Sequence, residues 1–277
     1  TARLGRVGTV TDFSTLAGRP TKITAHGFGW THAGRTQPAL ADIDLVIEPG
    51  ERVLLCGDSG SGKSTFLAAI AGVLGSDEEG IRAGEILLED STGAVEEPGH
   101  SIPVGLVLQD PDSQVISARV GDDIAFGCEN LAYPREEIWR RVAAAKDLVG
   151  PFVDLDFPTE RLSGGQKQRL ALAGVIAMGA GVVLLDEPTA NLDPAGARDV
   201  VRAVSALVEE TGATLVVVEH QHSAWEGLLD RAVEIAHGRI VADGPFEQVA
   251  KRRRVEGLPQ ARELGDGAAG EGDAALW

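Results

Sequence analysis

The sequence predicts an α/β fold: a sheet of buried parallel strands covered by helices, with an antiparallel edge added early in the chain. Three observations lead there. The runs 53–56, 182–185 and 215–218 are apolar throughout, as strands covered on both faces are. Segments with apolar residues at helical spacing lie between them. Leu40, Ile43, Leu45 and Ile47 nearly alternate with polar residues, the pattern of a strand with one wet face.

Each element follows in order. Residues 40–47 form the alternating strand. Residues 53–56 form a buried strand that stops at Gly57, and a helix is expected over 64–74. Strands follow over 85–88 and 104–108. A helix starts near Val120. Pro134 begins another, in which Ile138, Val142 and Leu148 share a face. Residues 166–178 continue as a helix after Ser163-Gly164-Gly165. The last two buried runs bracket a helix marked by Val200, Val204, Leu207 and Val208. Alternation of this kind gives a layered α/β domain. The domain is expected over 21–250, after an extension over 1–20 without a clear period. The basic run Lys251-Arg252-Arg253-Arg254 opens a tail over 251–277 that has little to pack and is expected to be disordered. The run reads as a solvated helix end, with nucleic acid or lipid binding as the alternative.

Composition narrows the function. The chain has 277 residues, enough to bury a large core. Its 25 Lys and Arg against 42 Asp and Glu leave a net charge of −17, so general nucleic-acid binding is not expected. Cys56 and Cys128 cannot build a disulfide framework and read as small buried residues. The first twenty residues lack a secretory pattern and no long apolar span occurs, so any membrane role is expected to run through a partner.

Gly57-Asp58-Ser59-Gly60-Ser61-Gly62-Lys63-Ser64 places two glycines, four residues apart, ahead of Lys and Ser. It sits between a buried strand and a helix, where backbone N–H groups can wrap a phosphate and the helix dipole adds to the attraction. Lys63 can reach the β and γ phosphates, and Ser64 can ligate Mg²⁺. The plain alternative is a glycine turn. Residues 182–187 are a buried strand ending in Asp186 and Glu187. One acid beside Mg²⁺ and a second that polarises water fit phosphoryl chemistry; alone, the pair would read as solvated strand-end acids. Ser163-Gly164-Gly165-Gln166 opens a second helix with an anion-binding end. One nucleotide does not need two such ends from one chain. A two-fold dimer would put the second across the γ phosphate of the partner's ATP.

At these residues the chain resembles the nucleotide-binding subunits of ABC transporters, over roughly residues 22–250 and with the motifs in the family's order. The resemblance implies a phosphate-loop cassette: a mixed RecA-like core, an antiparallel β edge and a helical signature subdomain at about 110–175. It implies ATP and Mg²⁺ as cofactors and a site built from both halves of a dimer. Gly57, Ser59, Gly60, Ser61, Gly62, Lys63, Ser64 and Thr65 would cradle ATP, and Ser163, Gly164, Gly165 and Gln166 would cap the partner's ATP. Asp186, Ser64 and Gln109 would serve Mg²⁺. Glu187 matches the catalytic glutamate, Gln109 the glutamine that touches the attacking water, and His220 the switch histidine at the γ phosphate. Asn191-Leu192-Asp193 falls in the D-loop, with Asn where Ser is common. Glu219 stands where Thr is frequent, and strand alternation is expected to turn it away from the phosphate. Trp30 falls where an aromatic stacks on adenine; Phe28 is the neighbouring candidate, and a core tryptophan in an edge strand is the alternative.

Residues 109–115 and 117–127 resemble the stretch after the glutamine loop in energy-coupling-factor importers. There two ATPase subunits, identical or paralogous, sit on the cytoplasmic face of the membrane under a transmembrane coupling subunit, and a separate membrane protein binds a vitamin or metal ion. Asp112, Asp122 and Asp123 are then expected to face arginines of the coupling helices. A non-transport ABC ATPase acting on DNA or ribosomes is the main alternative. A phosphate-loop kinase or GTPase would have no use for residues 162–169.

Overall fold

The computed structural model describes residues 16, 18–75, 79–150, 153–220 and 222–250. The expectations for 1–15 and for the basic run and tail over 251–277 lie outside the described residues. Strands β1 (Lys22–His32), β2 (Leu40–Ile47), β4 (Gly80–Glu89) and β5 (Val95–Glu96) form one sheet in the order β2-β1-β4-β5. Its pairings are antiparallel. The second sheet runs β10-β9-β3-β8-β7-β6. It contains β3 (Arg52–Cys56), β6 (Val104–Val107), β7 (Val182–Asp186), β8 (Thr214–Val218), β9 (Arg231–Ala236) and β10 (Arg239–Pro245). All its pairings are parallel except that of β10 with β9.

The apolar runs behave as strands buried on both faces. In β3, Leu54 and Cys56 point into one hydrophobic cluster, and Val53 and Leu55 into the other. In β8, Leu215 and Val217 separate in the same way from Val216 and Val218. Period-two alternation across a sheet covered on both sides accounts for this division. One cluster is roofed by the antiparallel sheet and α1 (Lys63–Ile70), where Phe66 is fully buried. Burial of such a side chain contributes about 1.5–3 kcal/mol. The other holds α2 (Val120–Asn130), α3 (Arg135–Leu148), α4 (Gly164–Met178) and α5 (Pro194–Thr211). Ile124 and Cys128 of α2, Ile138 and Val142 of α3, and Leu170 of α4 belong to this second core.

Some elements depart from expectation. Helix α1 ends at Ile70, short of the expected residue 74, because Gly72 takes φ +71° and breaks the turn. Strands β1, β5, β9 and β10 have no counterpart among the expected elements. In β1, Gly27 and Gly29 interrupt the alternation, and the register against β4 slips between His26 and Gly29. No helix among the described residues is long and apolar enough to cross a membrane.

Candidate functional site

The phosphate loop joins the buried end of β3 to the start of α1. Gly57 sits at φ +147°, and a Cβ there would lie 2.1 Å from the Ile235 carbonyl oxygen of β9. Gly62 sits at φ +108°, where a Cβ would meet the Ala39 oxygen at 2.6 Å. Both positions therefore need glycine for space and for backbone angle. Lys63 is only 6% exposed, and its Nζ donates to the carbonyls of Gly57 at 3.0 Å and Asp58 at 2.8 Å. The Ser61 hydroxyl is buried with no hydrogen-bond partner among the described residues. The turn between β9 and β10 braces the loop, since Gly238 N–H donates to the Ser61 carbonyl at 3.1 Å.

Strand β7 delivers the two acids beside this loop. Asp186 is hydrogen-bonded to the Ser64 hydroxyl. Burial raises the Asp186 carboxyl above its ordinary range; the Ser64 bond opposes the rise and the charge of Glu187 adds to it. Glu187 has φ +48°, a left-handed backbone at a non-glycine residue, of the kind that concentrates at functional sites. Its N–H donates to the Val218 carbonyl at 2.9 Å, which ties the end of β7 to β8. Its two carboxylate oxygens are both engaged. Gln109 Nε2 donates to Oε2 at 3.1 Å, and His220 Nε2 lies 3.0 Å from Oε1. Three residues drawn from sequence positions 109, 187 and 220 thus meet at one carboxylate.

Glu219, just past the end of β8, is 3% exposed. It accepts the Thr189 hydroxyl at 2.5 Å and the His220 backbone N–H at 2.9 Å. No role for Thr189 is legible in the sequence, because the contact depends on two strand ends meeting. The Ser-Gly-Gly segment forms a capping box on α4: Gln166 N–H donates to Ser163 Oγ at 3.4 Å and Ser163 N–H to Gln166 Oε1 at 2.8 Å. Ser163 and Gly164 are exposed. A Cβ at Gly165 would lie 3.8 Å from Leu192 and Gly196, so the signature borders the D-loop of its own chain. Asp193 there caps α5 by accepting Gly196 N–H at 2.7 Å. Gly60 and Ser59 are exposed on the phosphate loop, and Thr65 is half-buried on α1.

Two expectations need correction. Trp30 presents no stacking face: it is 4% exposed, its ring fills the slot left by Gly80, and its indole N–H donates to His32 Nδ1 at 3.1 Å. The register slips of β1 place Phe28, Gly29 and Trp30 all inward, so the core reading holds for both aromatics. Nor are the three acids all free for a partner. Asp112 forms an ion pair with Lys167, and Asp123 accepts the N–H groups of Ile116 and Ser117, each at 2.8 Å. Asp122, by contrast, stands exposed on the first turn of α2.

Fold and site together define a phosphate-loop nucleotide-binding cassette with a separate helix N-terminus facing outward. The ABC transporter family profile matches residues 40–190, and the chain belongs to that family. A putative ABC transporter ATP-binding protein of Methanosarcina acetivorans is 39% identical over 81% of this chain and 35% of its own length. The energy-coupling factor transporter ATP-binding protein EcfA1 of Caldanaerobacter subterraneus subsp. tengcongensis is 38% identical over 83% of each chain. The chain spans 35% and 41% of the two Methanosarcina relatives it matches. Among solved structures, cbiO1 of Clostridium perfringens, described as part of the ABC transporter complex cbiONQ, superposes with a TM-score of 0.70. It is 31% identical, over 84% of this chain and 92% of that one.

Proposed function

We propose that this chain is an ATP-hydrolysing subunit that pairs with a second copy or a paralogue and powers uptake through an energy-coupling-factor importer. It would act on the cytoplasmic face of the membrane, peripherally, beneath a transmembrane coupling subunit. A separate membrane subunit would bind the cargo, a vitamin or a metal ion. The observation that carries the reading is the meeting of Gln109 and His220 on the two oxygens of Glu187, beside the Ser64–Asp186 pair. The EcfA1 and cbiO1 relatives support the importer class.

The residues divide the work. Lys63 exchanges its two loop carbonyls for phosphate oxygens, and the loop N–H groups with the α1 dipole hold the rest of the phosphate chain. Glu187 accepts a proton from, or orients, the attacking water. His220 and Gln109 fix the plane of its carboxylate. Mg²⁺ supplies charge neutralisation at the phosphates when bound. Ser64, Asp186 and the Gln109 amide oxygen, hard oxygen donors, would hold it. Ser163, Gly164, Gly165 and Gln166 offer the α4 N-terminus to the partner's nucleotide.

The test is Glu187→Gln. Turnover is expected to fall at least ~100-fold, the low end for a positioned base, while ATP binding survives and an ATP-bound dimer accumulates. Parent-like hydrolysis in the assembled complex would remove Glu187 from the chemistry.

A further inference from the structure

Gln168 lies on α4 two residues beyond Gln166 and is 2% exposed. Its Nε2 donates to the Leu108 carbonyl at 3.2 Å and to the Pro188 carbonyl at 3.2 Å. Leu108 immediately precedes Gln109, and Pro188 immediately follows Glu187. One side-chain amide therefore holds the backbone beside two residues of the hydrolytic cluster. Chemistry dictates its orientation: an NH₂ group has two hydrogens for two carbonyls, and the reversed amide would press oxygen against oxygen. The Gln168 Oε1 is buried and has no hydrogen-bond partner among the described residues. A purely structural glutamine would gain by satisfying that atom, since a buried unpaired acceptor costs stability.

A second strut leaves the same turn of α4. Lys167 pairs with Asp112 in the 3₁₀ turn Pro111–Gln114, just past Gln109. Gln114 ties this turn to β6 by donating to the Leu106 carbonyl at 3.0 Å and accepting Leu108 N–H at 2.8 Å. The start of α4 thus grips the Gln109 loop on both sides, and Gln168 also hydrogen-bonds the segment after Glu187.

We propose that Gln168 is a positioning residue that carries displacement of the α4 N-terminus to Gln109 and Glu187 of the same chain. This rests on the dimer reading, in which that helix end meets the partner's nucleotide. Filling one site then sets the geometry of the other through Gln168. Two hydrogen bonds at 3.2 Å already stand at the long edge of the normal range, so a shift of a few tenths of an ångström breaks one or both.

The experiment compares the full chain with its Gln168→Met and Gln168→Glu variants, using MgATP turnover, the Hill coefficient for ATP, and the affinity of the single chain for a fluorescent ATP analogue. Both variants keep the shape and lose the donors. Turnover is expected to fall about tenfold, the scale of one or two lost hydrogen bonds, and the Hill coefficient to drop to about 1. Single-chain affinity should stay within about twofold, since the two carbonyls that Gln168 bonds, Leu108 and Pro188, lie outside the phosphate loop. A variant as active and cooperative as the parent overturns the proposal. So does a variant that loses affinity and turnover together while staying cooperative, for then Gln168 only supports the fold. If neither variant folds, Lys167→Met loosens the same helix end and is read by the same criteria. A parent that hydrolyses ATP as a single chain would remove the dimer reading itself, an outcome visible before any variant is made.

Discussion

Asp186 shows how the site trades stability for chemistry at the scale of one residue. Its carboxyl is raised above the ordinary value of 3.8, chiefly by burial. A raised folded-state value means that the ionised form is disfavoured by folding. The penalty is complete above the folded value and absent below the unfolded one. In nucleotide-free and metal-free protein, Asp186→Asn should therefore raise the melting temperature at pH 8, by roughly 2–4 °C for each kcal/mol of relieved burial. The gain should vanish as the pH falls toward about 4. A difference that ignores pH over that range would mean that burial of the charge is not its source. Glu187 next door carries its own strain at φ +48°, held in place by the Val218 carbonyl and by the partners of its two oxygens.

At the scale of elements, α4 has two ends of its first turn in use. Outward, the capping box leaves Ser163 and Gly164 exposed; inward, Gln168 and Lys167 hold the neighbouring loops. Ser163→Arg should leave single-chain ATP affinity within about twofold, cost about 1 kcal/mol of cap stability, and abolish ATP-dependent dimers in sedimentation. A large loss of single-chain affinity would instead place the signature in the same site as Lys63. The elements that carry motifs were legible in the sequence because each has a local cause: a glycine loop between strand and helix, an apolar run ending in acids, a cap before a helix. Gln168 was not legible, since a polar residue in a helix reads as solvated until the loops that cover it are known. Asp123 and Asp112 read as free acids for the same reason. Trp30 misled because its burial depends on register slips in β1 and on the missing side chain of Gly80, which no local pattern in β1 reveals.

Across the whole molecule, the two sheets are joined by polar as well as apolar contacts. Arg231, on β9, meets Asp243 of β10 with a two-pronged pair, both contacts at 2.6 Å. It also reaches Glu51 at 3.1 Å, just before β3, and the Val46 carbonyl of β2 at 2.9 Å. With its side chain 23% exposed, this network lies between surface pairs and buried ones in strength. Arg231→Met should cost about 2 kcal/mol, read as a lower urea midpoint at unchanged slope. An unchanged midpoint would show that solvent screens this network and that it adds little to the joining of the sheets.

The strand order has a consequence for how the chain is made. Strand β3, which carries the phosphate loop, pairs Arg52 with Leu215 and Val53 with Arg231. Both of its neighbours come from the last third of the chain. While a ribosome is still extending the nascent polypeptide, the run from Val53 to Cys56 is out of the exit tunnel long before either neighbour exists. Pairings that distant are slow to close, because loop entropy is lost before any contact rewards it. Throughout that interval an apolar strand with two open edges is exposed to other nascent chains, so synthesis of this protein favours a chaperone that shields its first third until β8 and β9 emerge.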